Sequence, residues 1–175
     1  MKEKKYGIIG KPLSHSLSPF LHNYWFNKYK ILANYSLIEV ELKEIDGVIK
    51  KIRSGELDGI NVTVPYKQAV IPFLDLIIDD AEKTQSVNTI NLNEIGQVVG
   101  NNTDVHGLVH GFINKLNNQN LDKNKILILG AGGVTPSIVY ALLKKGIKKI
   151  FISNRTLKKA ENIKKKFPFV EVILW

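Results

Sequence analysis

Two hydroxyls and an imidazole stand together in His15-Ser16-Leu17-Ser18, between the apolar run Tyr6 to Gly10 and an amphipathic run from Phe20 to Tyr29. Small hydroxyls at the exit of a buried strand, just where a helix begins, suit a compact polar ligand. A second cluster lies in Asn61-Val-Thr-Val-Pro-Tyr-Lys67. Strand alternation sends Asn61 and Thr63 to one face, Pro65 ends the ladder, and Lys67 follows near a helix start. Ser86-Val-Asn88 and Gly100-Asn-Asn-Thr-Asp104 end neighbouring elements with small polar groups of the same kind. Each has a plain structural explanation: Lys67 as solvated surface, Asn88 as a turn former, Asp104 as the N-cap of a helix from Val105. Their recurrence at element ends, together with the Ser16/Ser18 pair, points to one shared pocket.

Gly130-Ala131-Gly132-Gly133-Val134 follows the strand-like run Lys125 to Leu129 and precedes the helix-like run Pro136 to Lys145. Glycines at 130 and 132 let the backbone turn sharply and approach a pyrophosphate, whose charge a helix N-terminus then meets. The third position of the usual fingerprint falls on Thr135, so the helix is expected slightly farther from its strand. At the end of the next strand an NAD-binding fold usually carries an acid, whereas this chain has Asn154-Arg155-Thr156 and then Lys159. The planar fork of Arg155 suits a 2′-phosphate and favours NADP. The alternative is that Asn154 to Thr156 only forms a turn before the helix from Leu157, and Thr156 suits that cap as well.

The elements that would position these groups alternate between strand and helix, which implies an α/β fold with a mostly parallel sheet. Strands are expected over 6–10, 34–42 and 58–64, and helices over 19–30, with Ser18 as N-cap, and over 44–54, stopped by Gly55. Residues 86–92 and 97–100 read as a hairpin turning at 93–96, and 105–116 as a connecting helix. The polar stretch 117–124 reads as the domain boundary, separating residues 1–117 from 118–175. Beyond it, strands at 125–129 and 149–153, helices at 136–145 and 157–167, and the start of a third strand at 170–175 form the first half of a Rossmann-like fold.

At 175 residues with 44% apolar content the chain can bury a core. It has no cysteine, which excludes a disulfide framework and a thiolate metal site and fits a reducing cytoplasm. No apolar run is long enough to span a membrane, and residues 1–5 lead straight into a strand. The net charge of +9 invites a nucleic-acid reading. The lysines are scattered, however, and the densest group, 158–166, lies on a helix-like segment as a solvated face. Anionic small molecules are the favoured partners, with no nucleic acid and no membrane, and a homodimer stays open.

Six stretches, Gly10 to Asn23, Asn61 to Lys67, Val87 to Ile90, Asn102 to Asp104, Gly130 to Gly133 and Asn154 to Thr156, resemble the shikimate dehydrogenases in order and spacing. The resemblance covers nearly all of the chain. It implies NADP-dependent interconversion of shikimate and 3-dehydroshikimate in aromatic amino-acid biosynthesis, without a metal. It also implies that Ser16 and Ser18 hold the substrate carboxylate, that Asn61, Thr63 and Asn88 bind the ring hydroxyls, and that Lys67 and Asp104 are the catalytic pair. Oxidising a secondary alcohol by hydride loss requires its proton to leave, a task for a lysine, with the aspartate orienting the hydroxyl. The cofactor set is Gly130, Ala131, Gly132, Gly133, Val134, Asn154, Arg155, Thr156 and Lys159.

Val105 and His106 precede Gly107 where the family commonly has glycine directly after the aspartate. The family also runs roughly a hundred residues farther, through the rest of the nucleotide domain and a helix that packs back on the first. The expectation is therefore that residues 1–175 lack turnover and leave an apolar edge at Val170, Val172, Ile173, Leu174 and Trp175. The rival readings are a relative that acts on quinate or uses NAD, a chain that binds ligand without turnover, and a basic nucleic-acid binder.

Overall fold

The computed structural model describes residues 2–115 and 123–175, and its contacts divide the chain into two compact units, Met1–Asn101 and Asn102–Trp175. The first is built on β1 (Lys4–Gly10), α1 (Ser18–Lys28), β2 (Ala33–Glu39), α2 (Ile45–Arg53), β3 (Gly59–Val62), β4 (Leu76–Ile77), α3 (Asp79–Thr84), β5 (Thr89–Leu92) and β6 (Val98–Asn101). The strands lie in the order β2-β1-β3-β5-β6-β4. β5 runs antiparallel to both neighbours and the remaining pairs are parallel, so the mostly parallel sheet expected from the alternation is present.

Strand alternation assigns two faces. Ile9, Ile60, Val62 and Ile90 are buried on one, against Ile45, Val48, Ile49 and Ile52 of α2. Those four recur at i, i+3, i+4 and i+7, a single helical stripe, and burying each contributes roughly 1.5–3 kcal/mol. Gly55, at φ +71°, ends α2 as its position suggested. The opposite face carries a smaller core of Ile8, Leu13 and Tyr35, with Tyr6 and Phe26 packed on it. Here α1 departs from expectation. It has no fully buried residue, and Phe20, Leu21, Tyr24 and Trp25 are exposed. Its half-buried stripe is Pro19, His22, Asn23 and Phe26, in which His22 and Asn23 are polar.

Ser18 opens α1 as its first residue; Leu17 is the N-cap, and no side chain caps the helix. β4 and α3 were not foreseen: one is two residues long and the other a six-residue helix closed by Gln85 at φ +49°. Arg53 secures this region by a bidentate pair with Asp75, 2.6 and 2.9 Å, while Asp75 also accepts the Val98 N–H at 2.7 Å. The guanidinium and that backbone donor hold the Asp75 carboxyl below the usual carboxylate range.

The second unit contains α4 (Asp104–Gly111), β7 (Lys125–Leu129), α5 (Thr135–Lys144), β8 (Lys149–Ser153), α6 (Leu157–Lys166) and β9 (Glu171–Ile173), with three parallel strands in the order β7-β8-β9. That order and handover match one mononucleotide half of a doubly wound fold. Its core joins Ile128, Val139, Leu142, Ile150, Ile152 and Ile163 to Val105, Val109 and Ile113. The connecting helix therefore packs within the second unit, where its apolar stripe is buried. It also ends earlier than expected, at Gly111, followed by a single 3-10 turn over Ile113–Lys115. The proposed linker, 117–124, lies outside the described residues except for its last two. Val170 is buried in this core rather than on an open edge, whereas Ile173, Leu174 and Trp175 are exposed. Among the described residues no helix is long and apolar enough to cross a membrane.

Candidate functional site

The serine pair sits in the turn between β1 and α1. Leu13, almost fully buried, anchors that turn, and its N–H donates to the Glu39 carboxylate at 2.8 Å. The Ser16 N–H donates to Leu13 O at 2.9 Å, closing the turn. Ser16 and Ser18 are half-buried, and their hydroxyls are 3.3 Å apart. The Ser18 N–H lies 3.4 Å from the Ser16 hydroxyl. Beside the turn Lys11 pairs with Glu41, which holds the lysine above its usual range, and His15 is exposed.

Asn61 pairs in register with Ile8 of β1 and Thr89 of β5. Its Nδ2 donates to Asn88 O at 3.1 Å and lies 3.3 Å from Thr89 Oγ1. The Tyr35 hydroxyl donates to its Oδ1 at 2.7 Å. Asn88 is buried, and its Oδ1 accepts from Thr89 Oγ1 at 3.0 Å. Its backbone ties β3 to β6: Val62 N–H donates to Asn88 O at 2.9 Å, and Asn88 N–H to Asn101 O at 3.0 Å. Thr63 continues the ladder by donating its N–H to Ile9 O at 2.9 Å, and its side chain stands against Gly10, where a Cβ would come within 2.5 Å of Thr63 Cγ2. Lys67 is half-buried and held by its carbonyl, which accepts the Val87 N–H at 2.8 Å. The first unit thus contains the serine pair, Asn61, Thr63, Lys67 and Asn88. Tyr35 was not singled out from the sequence, since nothing in its strand distinguishes it from a core tyrosine.

Asp104 belongs to the second unit. It is not an N-cap but the first residue of α4, and its N–H donates to Asn102 Oδ1 at 2.9 Å. Asn102 is buried and reaches Ser137 Oγ of α5 through Nδ2 at 2.9 Å, so the start of one helix is tied to the other.

The glycine turn is built as expected. Gly130 has φ +110°, a conformation that favours glycine, and donates its N–H to Ser153 O at 2.8 Å. At both Gly130 and Gly132 an added Cβ would meet nothing within 4 Å. Gly132 is thus not required by internal packing, and the open space beside it is what a cradle for a phosphate group provides. Thr135 is buried and donates its hydroxyl to Gly130 O at 3.2 Å, fastening the helix start to the turn. Asn154 does structural work: its Oδ1 accepts the Ala131 N–H at 3.0 Å and its Nδ2 donates to Thr156 O at 2.8 Å. Thr156 occupies the N-cap of α6 without a side-chain capping bond. Gly133 is half-buried, while Val134, Arg155, Thr156 and Lys159 are exposed, two cations beside the end of β8.

These two units define a class: an α/β unit with a mostly parallel sheet, followed by one half of a doubly wound α/β fold. Comparison with known proteins gives the family. Residues 8–90 match the model for the shikimate dehydrogenase substrate binding domain, and 113–174 the model for shikimate / quinate 5-dehydrogenase. The chain is 47% identical over 173 residues to the shikimate dehydrogenase (NADP(+)) of Pelagibacter ubique, covering 99% of this chain and 64% of that protein. The crystal structure of shikimate dehydrogenase from Aquifex aeolicus superposes with a TM-score of 0.88 at 36% identity, over 98% of this chain and 62% of that one. The shikimate 5-dehydrogenase of Thermus thermophilus, solved in complex with NADP(H) and shikimate, gives 0.84 at 28%, over 97% and 62%. The chain belongs to the shikimate dehydrogenase family and corresponds to the N-terminal part of the family's length, spanning less than two thirds of these relatives.

Proposed function

We propose that this chain serves the NADP(H)-dependent interconversion of shikimate and 3-dehydroshikimate in aromatic amino-acid biosynthesis, as a cytoplasmic protein. The observation that carries the proposal is the hydroxyl pair of Ser16 and Ser18, 3.3 Å apart in a turn anchored by Leu13 and Glu39. Two small donors on a fixed turn suit a carboxylate, and the Asn61–Asn88 network of the same unit suits ring hydroxyls. Substrate binding is assigned to residues 1–117 and cofactor binding to 118–175.

Ser16 and Ser18 donate to the substrate carboxylate, and Asn61, Thr63 and Asn88 engage the ring hydroxyls. Lys67 removes the proton of the reacting hydroxyl during oxidation and returns it during reduction. Asp104 orients the reacting groups for that transfer. NADP, when bound, supplies the hydride acceptor. Gly130, Gly132 and Gly133 with the start of α5 fit its pyrophosphate, and Arg155 with Lys159 fits its 2′-phosphate.

Calorimetric titration of shikimate against the parent chain and Ser16→Ala tests the reading. Binding by the parent, weakened about tenfold in the variant, is the expected result. No binding by the parent, or equal binding by both, refutes it. The description of the second family model includes quinate, which supports quinate as a second substrate, and quinate competition in the same titration measures that preference.

A further inference from the structure

Asn61 is held at both ends of its side chain. Its Nδ2 faces Asn88 O at 3.1 Å, and a backbone carbonyl can only accept, so the nitrogen belongs there and Oδ1 faces the Tyr35 hydroxyl at 2.7 Å. The tyrosine must therefore be the donor. Tyr35 is 4% exposed, and burial pushes its phenol well above the ordinary range, so the proton stays in place. Its own position is fixed twice. The ring stacks on His22 with centroids 4.3 Å apart and planes 6° from parallel. The Asn23 side chain brackets the Tyr35 backbone, donating to its carbonyl and accepting from its N–H, both at 2.9 Å.

A cleft of about 160 Å³, lined by Tyr6, Gly59, Thr89 and Asn91 among others, borders the Asn61 side chain. Both bonds keep the amide from turning: Asn88 O holds the nitrogen end, and the Tyr35 hydroxyl holds the oxygen end. With the two Nδ2 hydrogens committed to Asn88 O and Thr89 Oγ1 and one Oδ1 lone pair committed to Tyr35, the remaining capacity of Asn61 is a lone pair. We infer that Tyr35 is a positioning residue that locks Asn61 as a hydrogen-bond acceptor for a substrate hydroxyl. Tyr35 acts through Asn61 and need not touch the ligand. The inference rests on the reading that Asn61 binds a ring hydroxyl of shikimate.

Tyr35→Phe removes the donor and keeps the ring, while His22→Ala removes packing from that ring and keeps the donor. Shikimate titration of the 175-residue chain should show about tenfold weaker binding for Tyr35→Phe, the loss of one well-formed hydrogen bond, and binding within twofold of the parent for His22→Ala despite a lower melting temperature. In the ligand-free chain the Asn61 side-chain amide resonances should shift and exchange faster in Tyr35→Phe and stay in place in His22→Ala. Binding by Tyr35→Phe within twofold of the parent overturns the inference. So does an equal loss in both variants, which would mark a merely structural role. If the parent does not bind shikimate at all, the proposed function fails, and the ligand-free amide signal decides the inference alone: unmoved in Tyr35→Phe, it is overturned.

Discussion

Gly10 is the last residue of β1 and has a backbone conformation open to any residue, so Gly10→Ala acts through space alone. The added Cβ would stand 2.5 Å from Thr63 Cγ2, 2.9 Å from Leu13 Cδ2 and 3.0 Å from Val64 O. None of these neighbours yields cheaply. Thr63 is β-branched, Leu13 is 2% exposed, and the third is backbone. Bringing the closest contact from 2.5 Å to an ordinary 3.4 Å requires a movement of 0.9 Å, shared between β1 and the end of β3. Overpacking of this kind costs about 1–3 kcal/mol. With a urea slope of about 2 kcal/mol per molar, the transition of the first unit should fall by about 0.5–1.5 M. The same movement displaces Thr63 relative to the Ser16/Ser18 turn, so shikimate affinity should drop about tenfold. Gly47→Ala is the control. It lies in α2 with nothing within 4 Å of the added Cβ, and should raise stability by about 0.5–1 kcal/mol without changing affinity. A Gly10→Ala chain that matches the parent in both urea midpoint and shikimate affinity would refute the claim that close approach at Gly10 sets the geometry of Thr63.

Arg155→Ala should weaken NADP binding about tenfold and leave NAD binding within twofold, as read by parallel titrations; comparable affinity of the parent for both cofactors would remove the phosphate role of Arg155. In a chain extended with a relative's C-terminal part, Lys67→Ala should lower shikimate-dependent NADP reduction by about a hundredfold or more with little change in shikimate affinity, and a loss of only a few-fold would return Lys67 to the solvated surface. His22 has its pKa lowered by burial. The unfolded state then binds more protons below about pH 6.5, so stability should decline as pH falls from there through the lower folded value. Urea midpoints of parent and His22→Ala between pH 7.5 and 5 check this, with a flatter profile in the variant as the expected outcome.

Local periodicity and turn chemistry made much of the fold legible in advance. The stripe Ile45, Val48, Ile49 and Ile52 with Gly55 after it determines α2, and Asn93 to Gly96 determines a hairpin, because both depend on residues within a few positions of one another. The glycine turn at 130–133 and the cations at 155 and 159 are likewise local signals. Tertiary structure alone decided the rest. β5 pairs antiparallel with β3, and α4 joins the second unit, because long-range burial of Ile90 and of Val105 with Val109 outweighs sequence proximity. The serine pair was visible as a motif, but its contact arises only when Leu13 is buried and Glu39, 26 residues away, accepts its N–H. The partnership of Tyr35 with Asn61 also spans 26 residues. No propensity encodes it; it exists because parallel pairing of β2, β1 and β3 brings a tyrosine and an amide onto one sheet face, where a buried polar atom must find its partner.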